Sequence, residues 1–487
     1  MTTATATQQR PAGRPGPVSP APAGTPGWGP LLVVLAGTFM ALLDFFIVNV
    51  ALPSIQSGLH ASRAAVQLII AGYGLTFATG MISGGRLGDL YGRRRMFMTG
   101  LALFTLTSAA CGLAPGAGLL IGARVLQGAA GALMTPQVLA IIGIVYAGPR
   151  RDRAFAAYGL AMGFAGVLGQ LLGGAIITAS VGGSGWRGIF LINVPVGLTA
   201  LVLARRVIPE SAGHGVRSST GPSNVGRLDL AGTALATAGL AAVVAPLIEG
   251  QQYGWPAWTW ASLAAAPVLL GGFVVHQRRR AASGRSPLVD PGLFTSRGFS
   301  VGSLAALAFG LVPASFFFVL ALFLQDGLGL SPLLSGEVFA AVGAGYFAAM
   351  MLATGLARRL GRQVLALGAA VVAAGALLLA AADGGTSWAP LLPGLAVTGF
   401  GIGLVLVPLS ATVLAGVDPQ HAGAAAGVLA TAQQVGGAVG VALVGVVFYR
   451  SLGAGAFGHA MTVALILLAD LTVATAALVQ LLPRRAR

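Results

Sequence analysis

Fourteen long apolar runs, separated by short polar segments, occupy most of this 487-residue chain. The first, residues 31–52, would span ~33 Å as a helix, which is enough to cross the hydrocarbon core of a bilayer and too long for the apolar part of a signal peptide. The pattern predicts an all-α integral membrane protein with fourteen transmembrane helices. The other runs are residues 65–84, 97–115, 118–146, 154–178, 187–204, 229–248, 259–276, 299–324, 335–357, 364–382, 388–414, 424–449 and 460–482.

Composition excludes several classes of function. Only 8% of the residues are charged, against about a quarter in soluble domains, and lysine is absent from the sequence. Without lysine the chain has neither a Walker A phosphate loop nor a Schiff-base residue, so an ion gradient is the expected energy source. Cys111 is the single cysteine and the five histidines are scattered along the chain, so neither a metal nor another cofactor is expected. Protons are the expected coupling ion. No paired catalytic constellation or soluble output domain is present, which argues against an enzyme or a receptor.

The arginines are distributed very unevenly about the predicted helices. With the N-terminus in the cytosol, 24 of them fall in inside segments and only Arg63, Arg187 and Arg450 fall outside, while Arg124 lies within a helix. The positive-inside rule therefore places both termini in the cytoplasm, and the net charge of +16 reflects topology and not a nucleic-acid partner. Abundant Ala, Gly, Arg and Pro suggest a bacterial protein of the inner (plasma) membrane. The expected partners are the lipid bilayer and a small-molecule substrate.

An internal repeat suggests how the helices are grouped. The segment GRLGDLYGR, residues 85–93, follows the second run and aligns with TGLARRLGR, residues 354–362, after the tenth. Two six-helix halves with two helices inserted between them would explain these positions, although two unrelated basic loops are the alternative. We therefore expect a disordered cytosolic tail at 1–28, an N-terminal bundle at 29–206, linker loops and two inserted helices at 207–298, and a C-terminal bundle at 299–487.

Two charged residues lie inside the predicted helices of the N-terminal half. Asp44 stands well within the first run, where an ionised carboxylate is costly unless it is hydrated or paired, so we expect it to face a cavity and to exchange protons. A structural carboxylate satisfied by neighbouring helices is the alternative. Arg124 shares one helix face with Gln127, Gly128 and Gly131 and is expected to act on a nearby carboxylate, unless it reaches the outer surface.

Several segments, in the same order, resemble the fourteen-helix drug:proton antiporters of the major facilitator superfamily. They are LDFFIVNVALP (43–53), GRLGDLYGRR (85–94), RVLQGAAG (124–131), GQLLGG (169–174), WRGIFLINVPVG (186–197) and GVLATAQQVGGAVG (427–440). The chain departs from the family pattern at Phe46, Leu90, Gln170 and Gln433, where Thr, Arg, Pro and Arg are usual. The resemblance implies a major facilitator fold and proton-coupled export of hydrophobic, often cationic drugs or antibiotics by alternating access. We expect the chain to act as a monomer.

The resemblance also implies roles for two further segments. In the loop after the second helix, Gly85, Asp89, Gly92, Arg93 and Arg94 would form a cytosolic gate latch, against the alternative of a solvated positive-inside loop.

On the fifth helix, a stripe containing Gly166, Gly169, Gln170, Gly173 and Gly174 resembles the antiport motif, with packing alone as the alternative. Gln170 at the proline position puts the expected helix kink in doubt.

Asp470, in the last run, is a second candidate for proton or substrate coupling, because an ionised carboxylate inside an apolar helix is costly there as well. A packing or lipid-facing role is the alternative. No family motif supports the coupling role. A facilitator-fold importer, or a dedicated exporter of an endogenous metabolite, would share the whole architecture. The resemblance favours drug export over both.

Overall fold

Helices dominate the structure because, in a bilayer, each backbone N–H and C=O must find its partner within its own segment. A computed structural model describes residues 27–209, 229–285, 287–382, 387–414, 417, 422–454 and 457–482, so most of the predicted tail and linker residues 210–228 lie outside the described residues. The described α-helices are α1 (Gly29–Leu59), α2 (Arg63–Tyr91), α3 (Arg93–Gly112), α4 (Ala117–Val145), α5 (Gly148–Ala179), α6 (Gly188–Leu191), α7 (Asn193–Val207), α8 (Leu230–Gln252), α9 (Ala257–Ala282), α10 (Arg297–Leu322), α11 (Pro332–Leu360), α12 (Gln363–Ala382), α13 (Leu392–Leu414), α14 (Ala422–Ala454) and α15 (Phe457–Gln480).

The number of membrane spans is close to the predicted one. Within the described ranges, twelve helices are long and apolar enough to cross a bilayer, with α6 and α7 forming part of one of them, Gly185–Val207. Helix α5 is a thirteenth if its two parts, which differ in direction by 43°, are taken as one span. Helix α3 is not among them and begins with three arginines, although it packs against α4 and α7. The prediction of an all-helical, multi-span protein is confirmed, and the count of fourteen stays a prediction.

The two ends of the chain form bundles with the same pattern of neighbours. In the first, α2 and α3 pack on α4, α1 packs on α5, and α3 packs on α7; in the second, α11 and α12 pack on α13, α10 packs on α14, and α12 packs on α15. This correspondence matches α2–α3 with α11–α12, the helix pairs that contain the repeated segments. Gly92 and Gly361, which are aligned in the repeat, both adopt positive φ, at 98° and 57°. Glycine is favoured at both turns because it has no Cβ to clash in that region.

The bundles meet through α5 with α11, α2 with α14, and α1 with α10. We call the α2–α3 and α11–α12 end of the molecule the arginine-rich face, and the other end the opposite face. Several close contacts between the bundles lie toward the opposite face: the Gln325 amide donates to the Val50 carbonyl at 2.7 Å, and Gly174 lies directly against the backbone at Pro332. The two bundles are therefore closed against each other at the opposite face.

The inserted pair, α8 and α9, is attached to both bundles. Helix α8 packs against α2 and α14, and α9 packs on α8 and is largely exposed. Asp229 caps α8 by accepting from the Gly232 N–H at 2.9 Å, and its buried carboxylate also contacts His276 Nε2 and Gln277 Nε2 of α9, both at 2.8 Å. The Gln277 carbonyl in turn accepts from the Leu288 N–H at 2.6 Å, which anchors the chain leading to α10.

These contacts set the ionisation of Asp229. Burial by itself raises the pKa of this carboxyl, but the hydrogen bonds from His276, Gln277 and the Gly232 N–H, together with the charge of Arg280, outweigh burial and hold the pKa below its ordinary value. Asp229 is therefore ionised at neutral pH and stabilises the junction of α8 with α9.

Replacing Gly174 with alanine should destabilise the closed contact between the bundles. The new Cβ would lie 2.9 Å from Leu333 Cα and still closer to the Pro332 carbonyl, so the backbones would have to separate. We expect a loss of about 1–3 kcal/mol, seen as a lower thermal midpoint of the purified protein. Gly159→Ala on the same helix is the control, because its Cβ would meet nothing within 4 Å. Equal midpoints for the two variants would contradict the close contact.

Replacing Asp229 with alanine leaves two buried donors, the Gly232 N–H and the Gln277 amide, without an acceptor, so it should lower stability by about 1–3 kcal/mol. Because the folded-state pKa is depressed, the contribution of Asp229 is fully present above the ordinary carboxyl pKa and is lost as pH falls through the lower folded-state value. Thermal unfolding of native and variant protein at neutral and acidic pH measures this. Asp290→Ala, which removes only an exposed local bond to Gly292, should change little. A difference between native and variant that grows toward acidic pH would count against this account.

Candidate functional site: a buried ion pair in the N-terminal bundle

The Asp44 carboxylate is fully buried and forms an ion pair with Arg124 of α4. Arg124 Nη1 donates to one carboxylate oxygen, while the other oxygen accepts from Gln127 Nε2 at 3.0 Å and from Asn193 Nδ2 at 2.9 Å. Both charges are removed from water, so each depends on the other for compensation.

A serine completes this arrangement. Ser108 Oγ on α3 accepts from Gln127 Nε2 at 3.1 Å and from Asn193 Nδ2 at 2.9 Å, and its hydroxyl donates to the Phe190 carbonyl at 3.0 Å. We call Asp44, Ser108, Arg124, Gln127 and Asn193 the polar cluster. It joins four helices, α1, α3, α4 and α7, around one buried carboxylate.

The Arg124 guanidinium is held by further contacts and keeps one group unpaired. Its Nε donates to the Ile69 carbonyl at 3.2 Å, and its Cζ lies 4.1 Å from the ring centroid of Tyr73, where a cation–π attraction operates. Among the described residues, no hydrogen-bond partner meets the buried Nη2. An unpaired donor beside a buried carboxylate is able to take a water molecule or a new acceptor when the pair rearranges.

The structure answers two of the expectations raised by the sequence. Asp44 was expected to face a cavity; instead it lies inside the N-terminal bundle, because Arg124 supplies the compensation that water would otherwise provide. The surface alternative for Arg124 is wrong, since the side chain is fully buried. Gly128, one turn along the same face of α4, lies against the Tyr73 carbonyl and so brings α4 close to α2.

Helix α1 connects the polar cluster with the interface between the bundles. Two residues after Asp44, the ring of Phe46 meets Phe317 of α10 edge-on, with centroids 5.6 Å apart. The ring centroid of Phe45 lies 6.0 Å from that of Tyr73, whose ring contacts the Arg124 guanidinium. A displacement of α1 would therefore change both the ion pair and a contact with the second bundle.

The predicted latch residues lie where α2 turns into α3. Arg93 Nη1 donates to the Gly85 carbonyl at 3.0 Å and to Gln137 Oε1 of α4 at 3.1 Å, and Arg94 Nη2 donates to the Arg205 carbonyl of α7 at 2.6 Å. Gly92 makes the turn with its positive φ. The Asp89 side chain lies outside the described residues. The two arginines thus tie the turn to helices of the N-terminal bundle, and the latch function stays a prediction.

The glycine stripe of α5 faces both α1 and α11. A Cβ at Gly169 would lie 2.9 Å from Phe46 Cβ, and one at Gly166 would make an ordinary contact with the Phe46 ring. Gly173 packs on Ile47 and Val50 of α1, and Gly174 on the backbone of α11. The stripe therefore lets α5 approach one helix of each bundle.

Gln170 on this stripe is buried, and neither polar atom of its side chain has a hydrogen-bond partner among the described residues. The axis of α5 changes direction by 43° between Gly148–Gly166 and Leu168–Ala179, next to this position. The bend thus occurs without the proline that the family pattern places there.

Asp470 does not join the polar cluster. It lies on the exposed side of α15 together with Ile466 and Val473, one turn away on either side. Asp44 and Asp470, which both lie inside apolar runs of the sequence, are therefore far apart in environment: one is buried and paired, the other exposed. Their functional roles remain predictions.

Sequence reasoning missed two members of the cluster. Asn193 Nδ2 donates to Asp44 itself, and Ser108 Oγ accepts from the two amides that bind Asp44, yet the sequence patterns do not predict either role. A buried amide within an apolar run was the available signal for Asn193, whereas a serine in a membrane helix carries no comparable signal. Among the described residues, no group of three or more His, Cys, Asp or Glu side chains could hold a metal ion.

Comparison with known proteins identifies the family. The sequence model of the Major Facilitator Superfamily matches residues 34–230 and 227–441. The chain belongs to this superfamily. Its predicted membership is thereby confirmed, and the protein is a membrane transporter and not an enzyme.

Related transporters match along most of the chain. A probable actinorhodin transporter of Streptomyces coelicolor is 39% identical over 88% of this chain and 73% of its own length. The cephamycin export protein of Amycolatopsis lactamdurans is 37% identical over 85% of this chain and 83% of its own, and the puromycin resistance protein of Streptomyces alboniger is 37% identical over 86% and 81%. A crystal structure of an auto-inhibited POT family peptide transporter has a TM-score of 0.64 at 16% identity, covering 94% of this chain and 97% of that one, and shows the shared fold alone.

Breaking the ion pair from one side should be worse than neutralising both partners. Arg124→Gln leaves the Asp44 carboxylate buried without its cation, which should lower stability by about 3–5 kcal/mol. The double variant Asp44→Asn with Arg124→Gln removes both charges and should recover part of that loss, as measured by thermal unfolding of the purified proteins. If the loss in the double variant equals the sum of the two single losses, the side chains do not interact as described.

Proposed function

We propose that this transporter is a proton-coupled exporter, an antiporter that moves hydrophobic, often cationic drugs or antibiotics out of the cell by alternating access. The buried Asp44–Arg124 pair carries the proposal, because a carboxylate sealed inside a membrane helix bundle against a single cation suits reversible protonation. The names of the relatives, which include an actinorhodin transporter, a cephamycin export protein and a puromycin resistance protein, support the substrate class. Helices α3 and α5 each complete a span in this proposal, which makes fourteen.

Protonation of Asp44 would couple to conformation through charge. A neutral carboxyl no longer compensates Arg124, and an uncompensated buried charge is strongly destabilising, so the guanidinium would have to move or be hydrated. Helix α1 holds both Asp44 and Phe46, so a rearrangement of the pair would be felt at the contact between Phe46 and Phe317. The two bundles would then rock from the state closed at the opposite face to one that is open there.

Orientation follows from charge. We propose that the arginine-rich face and both termini lie in the cytoplasm of a bacterial cell, with the protein in the inner (plasma) membrane. The described state would then be closed toward the outside. Because the polar cluster is complete within one chain, the proposed working unit is a monomer.

A dedicated exporter of a metabolite made by the same cell is the second candidate. The names of the actinorhodin and cephamycin relatives favour it, since each refers to transport or export of one antibiotic. It differs from multidrug export in substrate range and not in coupling, so a substrate panel separates the two.

Asp44→Asn should abolish uphill transport driven by a pH gradient. An amide keeps the size of the side chain and cannot exchange a proton, so export and proton movement would be uncoupled. Efflux of a fluorescent lipophilic cation from proteoliposomes under an imposed pH gradient measures this, and exchange of the same cation without a gradient shows whether substrate binding survives. Asp470→Asn is the matched control and should retain gradient-driven efflux, because Asp470 lies apart from the cluster.

Each outcome has a consequence. If Asp44→Asn keeps full gradient-driven efflux, proton coupling does not depend on Asp44. If correctly folded native protein transports none of a panel of such cations, the substrate is a dedicated metabolite, or the direction is import. Loss of efflux in Asp470→Asn with retention in Asp44→Asn would move the coupling site to α15.

A further inference from the structure

A cavity of about 460 Å³ lies at the opposite face, where α2, α8 and α14 meet. It is separate from the polar cluster, which belongs to α1, α3, α4 and α7. The polar side chains that line it are those of Ser62, Arg63, Gln67, Gln252, Tyr449 and Arg450. One cavity thus joins both bundles and the inserted helix pair.

The charges around this cavity are positive. Arg63 and Arg450 are two of the three arginines that fall on this side of the predicted topology, and no Asp or Glu is among the described residues that line the cavity. The Arg63 guanidinium lies 5.0 Å from the ring centroid of Tyr449. The Asp326 carboxylate acts on Tyr449 electrostatically, and Glu249 lies one turn before Gln252 on α8. Neither is part of the lining, so two guanidinium groups dominate the cavity.

Two buried polar groups at the cavity lack partners. The Tyr449 side chain is only 6% exposed, and its hydroxyl has no hydrogen-bond partner among the described residues. The carbonyl of Gln67, a residue only 2% exposed, is equally unpaired. A buried polar atom left without a partner costs about 1–3 kcal/mol. The Tyr449 hydroxyl is therefore an unsatisfied donor that an acceptor would satisfy, whereas the Gln67 carbonyl is an unsatisfied acceptor.

The start of α2 adds to the attraction for an anion. Ser62 caps this helix by accepting from the Ala65 N–H at 3.2 Å, and the helix begins at Arg63. The N-terminal end of a helix carries a partial positive charge, which favours an anion close to it. A tyrosine hydroxyl, two guanidinium groups and this helix end therefore point to one class of ligand.

We propose that this cavity binds a phosphate-type oxyanion, either the phosphate of an anionic lipid headgroup or a free phosphate ion. Guanidinium groups match phosphate oxygens in geometry and charge, and the Tyr449 hydroxyl supplies the remaining donor. The cavity lies at helix ends, the depth at which lipid headgroups meet a membrane protein. Because its lining comes from α2, α8 and α14, a bound oxyanion stabilises the conformation that is closed at the opposite face.

Thermal unfolding of the purified full chain in a neutral detergent tests this. Phosphatidylglycerol, inorganic phosphate and, as a reference, zwitterionic phosphatidylcholine are titrated into the native protein. We expect phosphatidylglycerol, inorganic phosphate or both to raise the midpoint by a few degrees beyond phosphatidylcholine in a saturable manner, since a ligand of the folded state shifts unfolding by mass action. A shift with the lipid alone identifies a headgroup site, and a shift with the ion identifies a site for free phosphate.

Three variants locate the effect. The double variant Arg63→Gln with Arg450→Gln should lose at least half of the shift, and Tyr449→Phe should reduce it while changing the fold least. Arg187→Gln, which removes the third arginine on this side, should keep the full shift. The proposal is overturned if neither phosphate source exceeds phosphatidylcholine, or if the double variant and Tyr449→Phe both keep the native shift.

Discussion

The ion pair between Asp44 and Arg124 is the interaction on which the N-terminal bundle depends. Neither charge could remain in this apolar interior alone, and the second carboxylate oxygen still needs the amides of Gln127 and Asn193 as donors. Ser108 Oγ in turn accepts from both amides. Four helices are therefore held in register by one carboxylate. The same dependence makes the cluster suited to switching, because loss of a single charge removes the reason for that arrangement.

Close helix packing determines how this switch could reach the rest of the molecule. Glycines on α5 allow α1 to pack on one side and α11 on the other, so one helix contacts both bundles without intervening side chains. In a bilayer, where apolar burial drives little association between helices, such backbone approaches and van der Waals contacts supply much of the attraction. The interface is thus tight where these glycines lie, whereas the rings of Phe46 and Phe317 fill it elsewhere.

The inserted helices belong to neither bundle, yet they contact both. Asp229 joins α8 to α9, while α8 packs across the junction of α2 with α14. Ser83 of α2 and Thr233 of α8 add a contact between hydroxyls at 2.8 Å. Any movement of the bundles relative to each other must therefore be accommodated along α8. The proposed phosphate cavity lies at the C-terminal end of this helix, so such a movement would change the shape of the cavity.

The linear order of residues was enough to predict the helical membrane class and the superfamily and to single out Asp44 and Arg124 as candidates, because long apolar runs and rare charges within them are local signals. It also indicated the repeat, since Gly92 and Gly361 mark equivalent turns. Only the tertiary structure showed that Asp44 is paired within a bundle, that Asn193 and Ser108 hold it, and that Asp470 lies apart on an exposed surface. Those facts depend on which helix faces which neighbour, and contacts between residues 80 to 150 positions apart in the chain leave no periodic trace in the sequence.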